Sequence, residues 1–522
     1  MAQNIAAYQI SSPGFFGINT EDSPVDLSTN FASQAYNCVI DRYGRVGSRM
    51  GWSKLHTANS DLGTNNIECI GELVGNDGTV TILAAGGNKF FTQSGTTLTT
   101  LVYDGGGVAP TITANNWQFV QLNGLGLFFQ RGYDPIIFDP ARPTKFRRLN
   151  EQSGHNGTEL QANCALSAFG RIWCADTPTD KNTIKWSNII TPQEWTAGSS
   201  GSINMLGVWP KGGDEVVALA SHNNFLIVFG KRQIVIYQGA QTPTASPATM
   251  VLYDTIDSLG CIARDSVQNT GEDIIFLSSH GVMSLNRIIQ EKSSPIRQIS
   301  KNVRRDFQNY VDNEILNNET LANVKAIYSP IDAFYIITLP TSKFTYCFDM
   351  KYPLEDGSSR TTIWTNIEPK ALCYMTSLRK TYLGKAGYVA SYEGYLDDTS
   401  SYRMTYYTTW VDLGNKIQRS ILKKFKAIVI GIVEQDFIVK HGFDFLEALR
   451  YSVIPLTSGI HPSQYGVSLY NIDVYTTGIL TYPLSDNIGG TGKTVKFGIE
   501  TDINGHQVSI QQLEIFTKEG KL

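Results

Sequence analysis

The fold is decided by the stretch Glu215-Val-Val-Ala-Leu-Ala-Ser-His222-Asn-Asn-Phe-Leu-Ile-Val-Phe229-Gly-Lys-Arg232-Gln-Ile-Val-Ile-Tyr237. It contains short runs of Val, Ile, Leu and Phe, separated by polar residues at 222–224 and 230–232. Apolar runs of roughly four to eight residues bounded by Asn, Gly or Ser are typical of antiparallel strands joined by tight turns. The wider segment 183–285 has the same texture, and no helix of useful length fits between its turns. The segment is therefore predicted to be a meandering β-sheet.

Units of this kind recur along the chain at a regular spacing. They begin at intervals of 46 to 56 residues, near Cys69, Trp117, Cys164, Glu215, Gln268, Val324 and Lys370. A period near fifty residues is about one four-stranded propeller blade. The spacing predicts a β-propeller-like core of about seven blades over residues 67–402. Such an arrangement leaves only short, protected strand edges.

Size and composition favour an all-β protein with several domains. The chain has 522 residues, of which 42% are hydrophobic and 17% charged, and it contains 47 Gly and 25 Tyr. This composition disfavours disorder and long helices. The net charge of −4 disfavours tight binding to nucleic acid, because phosphate contacts need a basic excess. We expect no signal peptide at the N-terminus and no apolar run of the roughly 18 residues that would span a bilayer.

The segments that flank or interrupt the predicted core have different patterns. Residues 1–66 are predicted to form an N-terminal arm and a hairpin whose turn contains Gly44. Residues 403–522 contain longer alternating strands, which predict a C-terminal β-sandwich or barrel domain. Residues 300–315 place an apolar residue at every fourth position after Ser300, a candidate N-cap, and predict one inserted helix of about four turns. That helix either packs on a blade or contacts a neighbouring subunit.

The chain carries no pattern typical of catalysis, and we expect a protein that is not an enzyme. The segment Gly489-Gly-Thr-Gly-Lys493-Thr494 is similar to a phosphate-binding loop, but Asn487 replaces its first glycine and a strand is predicted to follow. The seven histidines form neither a His-Glu-x-x-His motif nor an i, i+4 pair. Neither a Gly-x-Ser-x-Gly elbow nor a distinct glycosidase carboxylate pair occurs. The predicted catalytic, cofactor-binding and metal-binding residues are therefore none.

Several other residues are assigned scaffold roles. His222 and His280 are predicted to occupy equivalent blade turns. The seven cysteines are predicted to be small buried side chains in a reducing compartment. Cys164 and Cys174 could face each other across a hairpin, although nothing requires a disulfide there. The basic cluster 423–426 is predicted to be the solvated edge of a strand.

The order of several segments resembles that of the tail nozzle proteins of short-tailed bacteriophages, also called tail tubular or tail stabilisation proteins. The segments are residues 37–51, 184–188 with 192–195, 226–230, 259–267, 277–282, the helix after Ser300, and 508–521. None is a catalytic signature, and their common order along the chain carries the resemblance. Residues 430–490 match poorly.

The resemblance implies a structural virion protein of the phage tail, assembled in the cytoplasm of the host bacterium. It implies a homo-hexameric ring below the portal and adaptor proteins that extends the DNA ejection channel and helps anchor tail fibres or spikes. The host cell envelope would lie at its distal end. Double-stranded DNA would pass without tight binding, so we expect a neutral or acidic lumen, because basic residues would retain phosphate.

Two other functions stay open at this point. One is a propeller enzyme or lectin acting on glycans, which would need clustered carboxylates or arginines in the central cavity. The other is a different virion component, such as a fibre adaptor or receptor-binding protein.

Overall fold

The computed structural model describes residues 5–24, 26–113, 116–243, 249–285, 298–314, 321–339, 343–413, 419–431, 435–446, 448–455, 461–462, 473–474 and 481–520. The helix α1 spans Arg304–Glu314. The strands are β1 Ile5–Ser11, β2 Gly17–Ile18, β3 Phe31–Tyr36, β4 Cys38–Ile40, β5 Val46–Ser48, β6 Trp52–Lys54, β7 Ile67–Val74, β8 Val80–Gly86, β9 Lys89–Ser94, β10 Thr97–Thr100, β11 Val102–Tyr103, β12 Gln118–Leu122, β13 Leu125–Gln130, β14 Tyr133–Phe138, β15 Lys145–Arg148, β16 Cys164–Ala168, β17 Arg171–Ala175, β18 Thr183–Trp186, β19 Gly201–Asn204, β20 Val216–His222, β21 Phe225–Gly230, β22 Ile234–Gln238, β23 Val251–Ile256, β24 Gln268–Asn269, β25 Ile274–Ser278, β26 Gly281–Ser284, β27 Lys325–Ser329, β28 Phe334–Leu339, β29 Phe344–Asp349, β30 Arg360–Trp364, β31 Ala371–Met375, β32 Lys380–Lys385, β33 Tyr388–Tyr392, β34 Tyr402–Thr408, β35 Val411–Asp412, β36 Ser420–Gly431, β37 Phe437–Phe443, β38 Arg450–Ile454, β39 His461–Pro462, β40 Asp473–Val474, β41 Thr481–Asp486, β42 Gly490–Gly492, β43 Thr494–Ile503 and β44 Val508–Glu519.

Six separate sheets of three to five strands form a β-propeller arrangement. In chain order they are β7–β10, β11–β15, β16–β19, β20–β23, β24–β26, and β31–β33 with β6. The strands that begin the meanders, β7, β12, β16, β20 and β24, are called the first strands of their blades; β11 precedes β12 in the chain but lies at the opposite edge of its sheet. These first strands contact one another in succession, as blades do around an axis. The predicted all-β, propeller-like architecture with a helix is confirmed. Each of the seven predicted unit starts lies within two residues of the start of β7, β12, β16, β20, β24, β27 or β31.

Side-chain hydrogen bonds join neighbouring blades at the repeat spacing. Gln121 accepts a hydrogen bond from the backbone N–H of Val74 at 2.9 Å, across 47 residues of sequence. Asn269 donates to the backbone carbonyl of Ser221 at 2.8 Å, across 48 residues. The first strand of each blade has only one partner in its own sheet, so these side chains bind backbone groups on its other edge.

The N-terminal arm supplies a strand to the last of these sheets. Strand β6 pairs antiparallel with β33, which follows it by more than three hundred residues, and Trp52 lies opposite Tyr392. The predicted hairpin of the arm is confirmed as β4 and β5. Gly44 in its turn has φ 72°, a conformation that favours glycine, and a Cβ there would lie 2.7 Å from Pro13.

Two large sheets contain the rest of the described strands, apart from the short pair β39 and β40. A seven-stranded sheet follows the order β4-β5-β44-β36-β41, with β1 beside β44 and β42 beside β36. An eleven-stranded sheet follows the order β27-β28-β29-β30-β2-β3-β34-β43-β37-β38, with β35 beside β43. Phe425 of β36 and Phe497 of β43 meet edge to face, with ring centroids 6.3 Å apart. The two sheets therefore share one hydrophobic core.

A buried arginine joins the arm to the segments that follow β30 and β33. The Arg49 side chain is 0% exposed and forms a two-point ion pair with Asp397, at 2.8 and 2.7 Å. It also donates to Asn37 at 3.0 Å and to the backbone carbonyl of Thr365 at 3.2 Å. Its guanidinium carbon lies 4.0 Å from the ring centre of Tyr402. Buried charges need this full set of partners, because an unpaired one is strongly destabilising.

The predicted helix is present as α1, but one detail of its start is wrong. Ser300 does not cap the helix, since its hydroxyl instead accepts a hydrogen bond from the Val282 N–H of β26 at 2.9 Å. Phe307 of α1 packs on Tyr346 of β29, with ring centroids 4.9 Å apart. The helix also contacts β26 of the β24–β26 blade, which agrees with a helix that packs on a blade. The predicted helix end at Ile315 lies outside the described residues.

Truncation of a side chain between two blades should destabilise the protein. Phe229 is 0% exposed and packs on Phe276 of the next blade at 5.0 Å. We expect Phe229→Ala to lower the free energy of unfolding by about 3 kcal/mol, because it leaves a cavity, and Leu277→Ala to act similarly. Urea titration measures both. The control is Tyr352→Ala, at a side chain 45% exposed; a loss at Phe229 no larger than that of the control would contradict the blade packing.

His56 lies next to β6, which we call the closing strand because it joins the N-terminal arm to the last blade. This histidine should make stability depend on pH. Its Nε2 accepts from the Val389 N–H at 2.9 Å and its Nδ1 donates to the Thr57 carbonyl at 2.8 Å, so the ring carries one proton. Burial lowers the pKa of His56 below its ordinary value. An unfolded histidine titrates near pH 6.5, so the unfolded chain takes up this proton first as the pH falls. The stability that His56 contributes is present above about pH 6.5 and is lost below it.

We expect His56→Gln to lose less stability than the wild type between pH 7 and pH 5, since glutamine can accept the Val389 hydrogen bond without titrating. Urea unfolding at several pH values measures the difference. His506→Gln, at an exposed histidine, is the matched control. Equal pH dependence in the wild type and in His56→Gln would show that the closing strand is not sensitive to His56.

Candidate functional site

A polar cavity of about 190 Å³ lies among the first strands of four blades and β27, the first strand of the eleven-stranded sheet. Its lining comes from β7, β12, β24, β27 and β31 and from the residues just before them. The polar or charged side chains in this lining are Glu68, Gln118, Arg264, Asp265, Gln268 and Lys325. Since these strands contact one another around the propeller axis, the cavity is an axial one. We refer to it as the axial cavity.

The wall of the axial cavity is a network of ion pairs. Arg264 donates two hydrogen bonds to Asp265, at 2.7 and 3.0 Å, and Lys325 donates to the same carboxylate at 2.5 Å. Arg264 also donates to the backbone carbonyls of Asn163 at 2.7 Å and Asn116 at 3.2 Å. These asparagines precede β16 and β12, so the network ties the starts of several blades together.

The charges facing the axial cavity balance. Burial would raise the pKa of Asp265, but the charges and hydrogen bonds of Arg264 and Lys325 outweigh it and hold that pKa well below its usual range. Burial raises the pKa of Glu68, and the charges of Lys325 and Lys370 offset part of this effect. With these carboxyls ionised, two cations face two anions, so the cavity wall is formally neutral.

A smaller pocket of about 110 Å³ shares Glu68 and Lys325 with the axial cavity. Its other charged lining residues are Lys343, Glu368 and Lys370. Lys343 is exposed, so this pocket reaches the solvent at that residue.

The arrangement offers hydrogen bonds rather than a reactive pair. Arg264, Asp265 and Lys325 bind one another, and the cavity lining contains no Ser, Thr or His beside a base. Within the described ranges, no group of three or more His, Cys, Asp or Glu is placed to hold a metal ion. In the same part of the chain, no helix is long and apolar enough to cross a membrane.

The two histidines predicted in equivalent turns do not lie in equivalent positions. His222 ends β20, before the turn that joins the first and second strands of its blade. His280 lies between β25 and β26, the second and third strands of the next blade. The first strand of that blade, β24, has only two residues, and its shortness explains the error. Neither histidine lines the axial cavity.

The predicted burial of the cysteines is confirmed for six of the seven, and all seven are free, but the suggested facing pair and the suggested strand edge are wrong. Cys164 lies opposite Ala175, one residue out of register with Cys174, and successive residues of a strand point to opposite faces. The two thiols therefore cannot face each other, and both are free and buried. Lysines 423, 424 and 426 lie on β36, which has partners on both sides and is not an edge strand. Lys423 and Lys426 are exposed, as predicted. The strand predicted after the glycines at 489–492 is confirmed as β43.

The sequence patterns did not predict the axial network. Arg264 and Asp265 lie in residues 259–267, which carried part of the resemblance, but neither residue was assigned a role there. The available signal was a pair of opposite charges within the otherwise uncharged run Leu259-Gly-Cys-Ile-Ala-Arg-Asp-Ser-Val267. Charged side chains in such a run are buried only when they are paired.

Comparisons with known proteins show structural similarity at low levels. No family model matches the chain, and no curated protein matches it. The WD40 domain of Toxoplasma gondii coronin is 9% identical, with a TM-score of 0.33 over 75% of this chain and 87% of that chain. Kluyveromyces lactis Hsv2 is 11% identical, with a TM-score of 0.29 over 54% of this chain and 80% of that chain.

A third similar structure is the extracellular domain of a hybrid two component system from B. thetaiotaomicron. It is 8% identical, with a TM-score of 0.29. The match covers 72% of this chain and 43% of that chain. Similarities at this level carry no argument about function. The propeller assignment rests on the strand topology.

Removing the central anion of the axial network should destabilise the protein. We expect Asp265→Asn to lower the free energy of unfolding by about 3 kcal/mol, because it leaves Arg264 and Lys325 without their shared carboxylate. The folded pKa of Asp265 is depressed, so its contribution is complete above about pH 4, the unfolded pKa, and is lost as the pH falls further. The stability difference between the wild type and Asp265→Asn should therefore shrink below pH 4.

Guanidinium unfolding at neutral and acidic pH measures this difference. Asp312→Asn, at an exposed aspartate of α1, is the matched control. The network would be unimportant if both variants lost the same small amount of stability.

Proposed function

We propose that this protein is a structural virion component, a tail nozzle protein of a short-tailed bacteriophage. The observation that carries the proposal is the location of the segments that resemble this family. Residues 37–51 contain Arg49 and residues 259–267 contain Arg264 and Asp265, so two of these segments supply the buried charge networks. Residues that hold a scaffold together are the ones a structural protein would share with its relatives.

Within one chain, the proposal includes a propeller of about seven blades with a C-terminal β-sandwich or barrel. The seventh blade is the meander β27–β30, which belongs to the eleven-stranded sheet. Its support is that β27 contacts both β24 and β31, and that β31 contacts β7, so the first strands can be followed around a closed circle. The sandwich is supported by the shared core of the two large sheets.

Exposed apolar side chains on two edge strands support assembly into a ring. On β23, the side chains of Val251, Leu252 and Tyr253 are 60%, 47% and 57% exposed. On β38, Tyr451 and Val453 are 72% and 47% exposed. Both strands end their sheets, where uncovered apolar residues promote association. A head-to-tail ring brings two different surfaces of neighbouring copies together.

In this role six copies surround a channel for double-stranded DNA below the portal and adaptor proteins, and fibres or spikes attach to the outside. The net charge of −4 supports a lumen that does not retain phosphate. The protein would belong to the virion tail, after assembly in the cytoplasm of the host bacterium, with the host envelope at its distal end.

The oligomeric state tests the proposal. Mass photometry should show particles with six times the 57.7 kDa mass of one chain, and electron microscopy should show a six-fold ring. Leu252→Lys should reduce the hexamer fraction, because it places a charge in an apolar contact, whereas Leu378→Lys, at a leucine 43% exposed elsewhere, should not. A stable trimer would support a fibre adaptor instead, and a monomer at every concentration would contradict the ring.

A further inference from the structure

Polar residues recur at the start of the first strands, on the side that lines the axial cavity. Glu68 is the second residue of β7, and Gln118, Gln268 and Lys325 are the first residues of β12, β24 and β27. All four line the same cavity although they come from four different sheets. Convergence of a few polar groups from separate elements into one concave space is typical of a ligand site.

Several hydrogen-bonding groups of this set stay available. Gln118 uses its carbonyl oxygen to accept from Ala165 at 2.7 Å, which leaves its amide N–H groups as donors. Gln268 uses its amide to donate to the backbone carbonyl of Asp265 at 3.5 Å, which leaves its own side-chain carbonyl oxygen as an acceptor. In the part of the chain that the structure describes, the Glu68 carboxylate forms no direct ion pair, although the charges of Lys325 and Lys370 act on it, so both its oxygens can accept. The cavity thus presents donors and acceptors together.

The charge balance of the cavity selects the class of ligand. Arg264 and Lys325 are balanced by Asp265 and Glu68, so neither a lone anion nor a lone cation would find a compensating net charge. Removing a charged ligand from water costs several kcal/mol unless the site supplies such a charge. A neutral molecule with many hydroxyl groups avoids this cost, because hydroxyls both donate and accept.

We propose that the axial cavity binds a neutral saccharide unit of about one hexose ring. The cavity volume of about 190 Å³ accommodates such a ring, since roughly 10–15 Å³ on this measure already holds one water. Glu68 accepts hydrogen bonds from two sugar hydroxyls, Gln118 donates to a third, and Gln268 accepts from a fourth. Glu68, Gln118 and Gln268 are half-buried, so a ligand can reach them from solvent. This binding is independent of the nozzle role and of the hexameric state.

Saturation-transfer NMR tests the proposal with D-glucose, D-galactose and N-acetyl-D-glucosamine, each added separately to the full-length protein. We expect transfer to at least one of them, with a Kd on the order of 1 mM. Glu68→Gln should raise that Kd about tenfold, because it replaces a charged acceptor by a neutral amide. Glu355→Gln, at an exposed glutamate outside the cavity, should leave it unchanged.

A urea titration of each variant separates loss of binding from loss of folding. Gln268→Ala provides a second test should Glu68→Gln fail to fold, and it should weaken the same saccharide. Absence of transfer to all three sugars, or equal binding by the wild type and both cavity variants, would overturn the proposal. Tighter binding of inorganic phosphate, followed by phosphorus NMR, would show that the cavity selects an anion and would also overturn it.

Discussion

The ion pair of Arg49 with Asp397 is the interaction on which the rest of the structure depends. Arg49 lies between the hairpin β4–β5 and the closing strand β6, while Asp397 follows β33 and Thr365 follows β30. One guanidinium therefore fixes three chain segments that come together only when the propeller is closed. Buried ion pairs add little net stability compared with apolar residues, but breaking one is costly. The pair thus specifies which segments meet more than it raises the total stability.

This junction couples the propeller to the two large sheets. The arm enters the seven-stranded sheet through β1, β4 and β5, the eleven-stranded sheet through β2 and β3, and a blade through β6. The arm is thus divided among three sheets, so displacement of Arg49 would disturb the strand β6 and the hairpin at once. Closure must also wait for pairing between β6 and β33 across more than three hundred residues, which costs loop entropy before it adds contacts.

Local pattern predicted much of this fold, because alternation and turns depend on neighbouring residues. The meander, the period near fifty residues, the hairpin around Gly44 and the helix of Phe307 and Val311 all follow from spacing along the chain. The pairing partners of the strands do not follow from spacing along the chain. Strand β3 lies between β30 and β34, and nothing near residues 31–36 encodes that choice. The same limit explains Ser300, whose hydroxyl is taken by a distant strand, and Arg264, whose partners Asn116 and Asn163 lie more than a hundred residues away.

The two buried charge networks differ in a way that bears on function. Arg49 directs its donors to protein acceptors, as a structural junction requires. Arg264 is equally well paired, but its network forms one wall of a cavity in which Glu68, Gln118 and Gln268 keep free polar groups. These three side chains are half-buried, so water can satisfy their polar groups in the absence of a ligand. A ligand that binds there must therefore replace the hydrogen bonds of that water with its own.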